Sequence, residues 1–284
     1  MAIVQFKSVT FSYHLGDRDF PALEDVTLDI EPGTVTLLCG PTGCGKSSLI
    51  RALNGLVPHF YEGHLSGQVL VNGKDTRVHS TRELSLEVGL VFQDPENQLI
   101  AMNVERELAF GPENLGLPRE EIGRRVESAL NATDIQHLRK KSPYELSGGE
   151  QQRVAIASVL ALDPPIIALD EPTSSLDPQR AESILGLLAK FKNQGKTIII
   201  VEHRLELVLP IVDKMVVMDK GRIVAVGSVG EVLQQEAPVI NTLDLPPVVE
   251  LFRKLLASGG ISGDIPFSVE EASDILVRKL EEGD

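Results

Sequence analysis

The sequence predicts an α/β fold: a core of buried strands and helices, an antiparallel β subdomain, an inserted α-helical subdomain and a small helical C-terminal extension. Three observations carry this. Residues 34–39, 88–92, 165–169 and 197–201 are uninterrupted apolar runs rich in β-branched side chains, as strands in a buried sheet require. Segments with helical spacing separate them, at 48–53, 154–161 and 181–192. A glycine-rich turn joins the run at 34–39 to the helix at 48–53.

That turn is Gly40-Pro41-Thr42-Gly43-Cys44-Gly45-Lys46-Ser47-Ser48. It has P-loop spacing, four residues between the first glycine and Gly45-Lys46-Ser47, and it lies between a strand and a helix. A polyphosphate needs many N–H donors on a tight curve, and side chains would block its approach. Gly43 and Gly45 permit the necessary backbone angles. Consecutive N–H groups then form an anion nest, and the helix beginning near Lys46 adds its positive end. Lys46 is expected to reach the β- and γ-phosphates and the Ser47 hydroxyl to ligate Mg²⁺.

Before the loop, residues 3–13 alternate apolar and polar, the pattern of an opening strand; Val26, Leu28 and Ile30 repeat it. Tyr13, near the end of the first strand, either stacks on a purine ring or is an edge aromatic of the core. After the loop helix, Gln68-Val69-Leu70-Val71-Asn72-Gly73 reads as a hairpin strand with an Asn-Gly turn. The strand at 88–92 ends at Gln93 and is broken by Asp94-Pro95. Residues 103–140 are mostly helical, with Val104, Leu108 and Phe110 in one run. Ile122, Val126, Ala129 and Leu130 mark a second, whose first turn carries Glu120-Glu121.

Leu146-Ser147-Gly148-Gly149-Glu150-Gln151-Gln152-Arg153 opens the helix bearing Val154, Ile156, Ala157, Leu160 and Ala161. Ser-Gly-Gly there is either an ordinary cap or a second set of free N–H donors for a phosphate. Pro165-Ile166-Ile167-Ala168-Leu169-Asp170-Glu171 is a strand ending in two acids. Asp170 is the expected second Mg²⁺ anchor. Glu171, beside the γ-phosphate, is placed to polarise water. The strand at 197–201 ends at Glu202-His203, on the edge where ligand sites of α/β sheets form. A last hairpin turns around Asp219-Lys220-Gly221.

Past Leu233 the composition changes. Pro238, Pro246 and Pro247 break the chain, residues 248–256 form an amphipathic helix, and Ser268-Val269-Glu270-Glu271 caps another. The apolar side chains of 248–256 exceed what so short an appendage can bury within itself, so they pack on the remainder of the chain or on a second subunit.

The bulk numbers bound the function. The 284 residues hold one large or two modest domains, and 42% hydrophobic content suffices for a full core. Lys+Arg 27 against Asp+Glu 41 gives a net charge of −14, which argues against nonspecific nucleic-acid binding. The two cysteines, Cys39 and Cys44, suggest no disulfide framework and fit a reducing compartment. Residues 1–7 do not read as a signal peptide, and no apolar run is long enough to span a bilayer. A membrane role would come through a partner.

Taken together, these residues resemble the ATPase subunit of ATP-binding cassette transporters over about residues 3–230. The resemblance implies a P-loop NTPase (RecA-like) core over residues 1–232, with the helical subdomain inserted at about 94–163 and the extension at 233–284. Residues 40–47 are similar to the Walker A loop, 166–170 to the Walker B strand and 146–152 to the signature motif. Gln93 matches the Q-loop, 174–177 the D-loop, His203 the switch histidine and Tyr13 the adenine-stacking position. It further implies that ATP with Mg²⁺ is bound by Tyr13, Gly40, Pro41, Thr42, Gly43, Cys44, Gly45, Lys46, Ser47 and Ser48 of one subunit. Ser147, Gly148, Gly149, Gln151 and Asp177 would bind it from a second ATPase subunit, identical or not. Glu171, His203 and Gln93 are the implied catalytic residues; Ser47, Gln93 and Asp170 hold the metal. A narrower likeness, in Leu53-Asn54-Gly55-Leu56-Val57-Pro58-His59 and 91–98, is to the ATPases of energy-coupling factor transporters, which import vitamins or transition-metal ions. The implied partners are integral membrane transporter subunits, with the chain peripheral on the cytoplasmic face. The resemblance also favours a second subunit as the partner of the apolar face at 248–256. Another cassette importer, a soluble cassette protein without a membrane partner and a non-hydrolysing regulatory cassette are the competing readings. Intact Glu171 and His203 argue against the last.

Overall fold

The chain is described by a computed structural model covering residues 1–235, 238–258 and 265–282. Its strands follow the apolar runs. In chain order they are β1 (Val4–Leu15), β2 (Arg18–Ile30), β3 (Val35–Cys39), β4 (Gly63–Val71), β5 (Lys74–Asp75), β6 (Val88–Val91), β7 (Ile166–Asp170), β8 (Thr197–Val201), β9 (Lys214–Asp219) and β10 (Arg222–Gly227). They form two sheets. The smaller is antiparallel, in the order β2-β1-β4-β5. The larger has the order β10-β9-β3-β8-β7-β6 and is parallel apart from the β9–β10 hairpin.

Side-chain alternation divides the larger sheet between two cores. Val35 and Leu37 of β3, Ile167 and Leu169 of β7, and Ile198 and Ile200 of β8 enter one. Their neighbours Leu38, Ile166, Ala168, Ile199 and Val201 enter the other. This is the period-2 consequence of a pleated strand buried on both faces. The second core is closed by the antiparallel sheet and by the helix Lys46–Leu53. The first is closed by the helices Gly148–Leu160 and Pro178–Asn193 and by the insertion between β6 and β7.

That insertion holds the helices Val104–Asn114 and Arg119–Ala132 as well as Gly148–Leu160, as the sequence predicts. Asn103 caps the first through its side chain, which accepts from Arg106 N at 2.9 Å. Phe110 lies on the open side of its helix, 46% exposed, while Val104 and Leu108 are buried. The helix turns Phe110 away from the stripe formed by positions 104 and 108, three and four residues being the interval that keeps side chains on one face.

The C-terminal extension packs on its own chain. Val249 and Phe252, on the helix Pro247–Ala257, are fully buried in the same core as β3 and β8. Val248 and Leu256 lie against that core, and Ile265 and Ala272 join it. Val249 and Phe252 thus have an intramolecular partner, whereas Leu251 remains 49% exposed. The helix Val269–Glu282 starts at the expected cap, where Ser268 Oγ accepts from Glu271 N at 3.1 Å. Residues 236–237, 259–264 and 283–284 of the expected extension lie outside the described residues.

The packing predicts that Phe252→Ala lowers the unfolding free energy by about 3–5 kcal/mol, the range for a fully buried aromatic truncated to alanine. Chemical denaturation of the two proteins measures the difference. A loss below 1 kcal/mol, about what a surface substitution costs, would remove the helix from the core.

Candidate active site

The glycine turn leaves β3 and is held by the backbones around it. Gly40 has φ +136°, and a β-carbon there would meet Met218 O of β9 at 2.1 Å. Gly45 has φ +107°, and its β-carbon would meet Ala22 O of β2 at 2.4 Å. These two glycines are therefore demanded by close approach as well as by backbone angle. Gly45 then caps the helix Lys46–Leu53, whose first N–H groups lack intrahelical partners. Lys46 is almost fully buried, and its ammonium donates to Gly40 O at 2.8 Å and Pro41 O at 3.0 Å. Pro41, Thr42 and Gly43 form the exposed rim.

Cys44 Sγ lies 3.8 Å from Lys46 Nζ. Burial outweighs the nearby cation and pushes the Cys44 thiol up; burial pushes Cys39 up to about 12. Both stay protonated at neutral pH, and both are free thiols.

At the carboxyl ends of the neighbouring strands, three predicted residues converge. Glu171 follows β7 with φ +48°, a left-handed conformation uncommon for glutamate. Its N–H donates to Val201 O at 3.0 Å, and Ser174 Oγ donates to its carbonyl at 3.0 Å. Gln93 Nε2, after β6, donates to Glu171 Oε2 at 2.9 Å. His203 Nε2, after β8, lies 3.1 Å from Glu171 Oε1. The carboxylate is thus gripped on both oxygens. Asp170, the last residue of β7, is buried beside it.

Sequence reasoning passed over the residue beneath this group. Glu202 is 1% exposed. Its Oε1 accepts from Thr173 N at 3.0 Å and from the Thr173 hydroxyl, and its Oε2 accepts from His203 N at 2.9 Å. The carboxylate ties the turn after Glu171 to the base of His203. Its only sequence signal is an acid at the end of an apolar strand, which does not identify a partner 29 residues away.

Other sequence-predicted residues lie elsewhere. The Tyr13 and Ser48 hydroxyls share a hydrogen bond of 2.9 Å, and the Tyr13 ring meets Phe11 and Tyr61 edge to face. Tyr13 is therefore fixed beside the loop helix. Ser147 caps the helix Gly148–Leu160 through a reciprocal box with Glu150, donating from N and Oγ at 2.8 Å each. Gln151 is buried, its amide donating to Pro143 O at 3.1 Å. Asp177 caps the helix Pro178–Asn193 and pairs with Arg180.

Two cavities separate these groups. Ser147, Gly149, Arg153 and Arg180 line one. Gly40, Pro41, Thr42 and His203 line another, of about 220 Å³, which Thr242, Leu243 and Asp244 of the C-terminal segment also wall. The two share no residue. One chain does not bring its own Ser147 to the cavity of its own glycine turn.

Comparison with known proteins bears on this geometry. Residues 23–174 match the family described as ABC transporter. A putative ABC transporter ATP-binding protein of Pyrococcus abyssi is 45% identical over 82% of this chain and 83% of its own length. A putative ABC transporter ATP-binding protein of Methanosarcina mazei is 45% identical over 89% of this chain but only 43% of its own. The chain spans about half the length of several relatives it matches. The energy-coupling factor transporter ATP-binding protein EcfA of Methanoculleus marisnigri is 39% identical over 91% of this chain and 92% of its own. Among solved structures, cbiO1 of Clostridium perfringens, part of the ABC transporter complex cbiONQ, superposes with a TM-score of 0.72 at 34% identity, over 90% of this chain and 99% of that one. A dimeric ATP-binding cassette bound to ADP and Pi superposes at 0.69 and 29% identity, over 79% and 98%. The sheet order, the loop after β3 and these matches agree: the chain belongs to the ABC transporter family, as one of its ATP-binding cassettes.

Proposed function

We propose that this chain hydrolyses ATP as one of two paired cassettes that power a membrane transporter of the energy-coupling factor type, importing a vitamin or a transition-metal ion. The observation that carries the hydrolytic reading is the Glu171 carboxylate, gripped between Gln93 and His203 at the sheet edge beside the phosphate loop. The likeness to EcfA and to cbiO1 supports the transporter type.

The phosphates would lie on the N–H groups of residues 42–47, with Lys46 transferring its hydrogen bonds from the loop carbonyls to phosphate oxygens. The donor set fits Mg²⁺: the Ser47 hydroxyl, the Asp170 carboxylate and the Gln93 amide oxygen are hard oxygen ligands. When bound, that ion would neutralise charge on the phosphates. Gln93 donates through Nε2 to Glu171, so its oxygen is the atom left for other contacts. Glu171 would take the proton of the attacking water, and His203 would turn from Glu171 toward the γ-phosphate. Tyr13 would carry the adenine.

Because Ser147 and the glycine turn line separate cavities, completion of the site needs a second cassette. Its Ser147, Gly148 and Gly149 would add N–H donors to the γ-phosphate. Gln151 and Asp177, both engaged within their own chain, would act by holding that helix and the adjoining turn in place.

A membrane partner has a surface to meet. A groove of about 510 Å³ runs between β6 and the helix Val104–Asn114, lined by Leu56, Arg82, Phe92, Phe110 and Leu115. Ile100 and Met102, in the segment after Gln93, are exposed. Glu107, buried, accepts from Ile100 N and Ala101 N at 2.9 and 2.7 Å, fastening that segment to the inserted helices. Motion at Gln93 would reach the groove through it. Among the described residues no helix is long and apolar enough to cross a membrane, so the partner would supply the spans.

Two outcomes test the reading. Glu171→Gln keeps ATP binding, loses turnover and accumulates as an ATP-bound dimer on size-exclusion chromatography with Mg-ATP; near-normal hydrolysis by the variant would reassign the base. Glu202→Ala costs about 1–3 kcal/mol of stability, because it strands buried N–H groups of Thr173 and His203, and it slows phosphate release. Denaturant titration and a phosphate assay read both effects, and unchanged values in both would strip Glu202 of its positioning role.

A further inference from the structure

The smaller sheet brings three metal-ligating side chains from three strands to one exposed face. Strand register explains how. His14 of β1 stands opposite Asp19 of β2, and His64 of β4 stands opposite Ser12 of β1. Ser12 and His14 are two residues apart, so all three side chains emerge on the same side of the pleat. His14 Nδ1 lies 2.8 Å from Asp19 Oδ1. The His14 and His64 ring centroids are 6.2 Å apart, with planes at 64°. One nitrogen from each histidine and one Asp19 oxygen all fall within 4.8 Å of one another.

We propose that His14, Asp19 and His64 bind a divalent transition-metal ion, with Zn²⁺ the ion the donor set best suits. Two imidazoles and a carboxylate form a three-ligand protein set of the kind that leaves one position of a tetrahedron to solvent. A tetrahedral site with bonds of about 2.0–2.2 Å sets its ligand atoms about 3.3–3.6 Å apart. The His14–Asp19 contact, 2.8 Å, is inside that distance, and the other ligand-atom spacings, all within 4.8 Å, extend beyond it. Small rotations of exposed side chains remove both mismatches, and all three residues are exposed.

A plain surface hydrogen bond accounts for His14 and Asp19 but gives His64 no reason to join them. The third ligand comes from the strand on the other side of β1. An ion held by all three would cross-link β2, β1 and β4 at the end of the sheet where Tyr13 adjoins His14. Its effect would be to stiffen the strand end that carries Tyr13. His64 comes from a strand remote in sequence from His14 and Asp19, so no local spacing motif announces the group.

The test uses the full chain without an affinity tag, stripped with chelator, then titrated with Zn²⁺ in a calorimeter in the presence of Mg²⁺. The proposal expects one ion bound per chain and a raised melting temperature. It also expects loss of both in His14→Ala and His64→Ala. Substituting Co²⁺ gives the visible absorption of a tetrahedral ion, which the variants lack. Absence of stoichiometric Zn²⁺ binding, or equal binding by wild type and His64→Ala, overturns the proposal.

Discussion

Parallel hydrogen bonding among β3, β8, β7 and β6 is the constraint from which the site follows. Four strands that run the same way deliver the segments after their carboxyl ends to one edge. The register fixes the delivery. Leu38 pairs with Val201, Asp170 with Val201 and Val91 with Leu169. The glycine turn, His203, Glu171 and Gln93 then arrive at the same height. A slip of one residue in any pair would exchange the two cores, because alternate side chains of each strand serve opposite faces. Burial of Leu37 against Leu38, or Ile199 against Ile200, therefore holds that edge in register without touching it.

At that edge, a buried carboxylate replaces backbone pairing where the sheet ends. Glu202 gathers the N–H of Thr173, the hydroxyl of Thr173 and the N–H of His203. These groups would otherwise face the interior with nothing to accept them. With Glu202 in place, the chain can turn sharply after Asp170, and Glu171 takes its positive φ. Strain of that kind persists only where surroundings over-determine it. Here the surroundings are the Glu171 N–H bond to Val201 O and the Ser174 hydroxyl on the Glu171 carbonyl.

What was legible in the sequence was local. Gly40 to Ser48 form a contiguous motif, and the apolar runs at 88–92, 165–169 and 197–201 announced the strands. Residues 146–153 likewise carried their own cap. Groups built from distant residues left no such trace. Gln151 reads as one position in a motif, yet its amide supports Pro143 from within. The amphipathic pattern at 248–256 showed that a face must be covered but not by what, since periodicity records only that a surface avoids water. Val249 and Phe252 proved to face the cassette's own core. Phe110 shows the converse: an apolar residue in the same run as the buried Val104 and Leu108, which the helix carries round to the groove.

The segment Thr242–Asp244 gives the extension a thermodynamic stake in the cavity of the glycine turn. It walls the same cavity as Pro41, Thr42 and His203, and it leads directly into the helix that buries Phe252. Linkage makes any coupling through a shared wall reciprocal. If a ligand on the glycine turn favours one placement of residues 242–244, then fixing that placement raises affinity for the ligand by the same factor. The extension would then act as a second, distant argument of the binding constant, tunable through residues that never approach a phosphate.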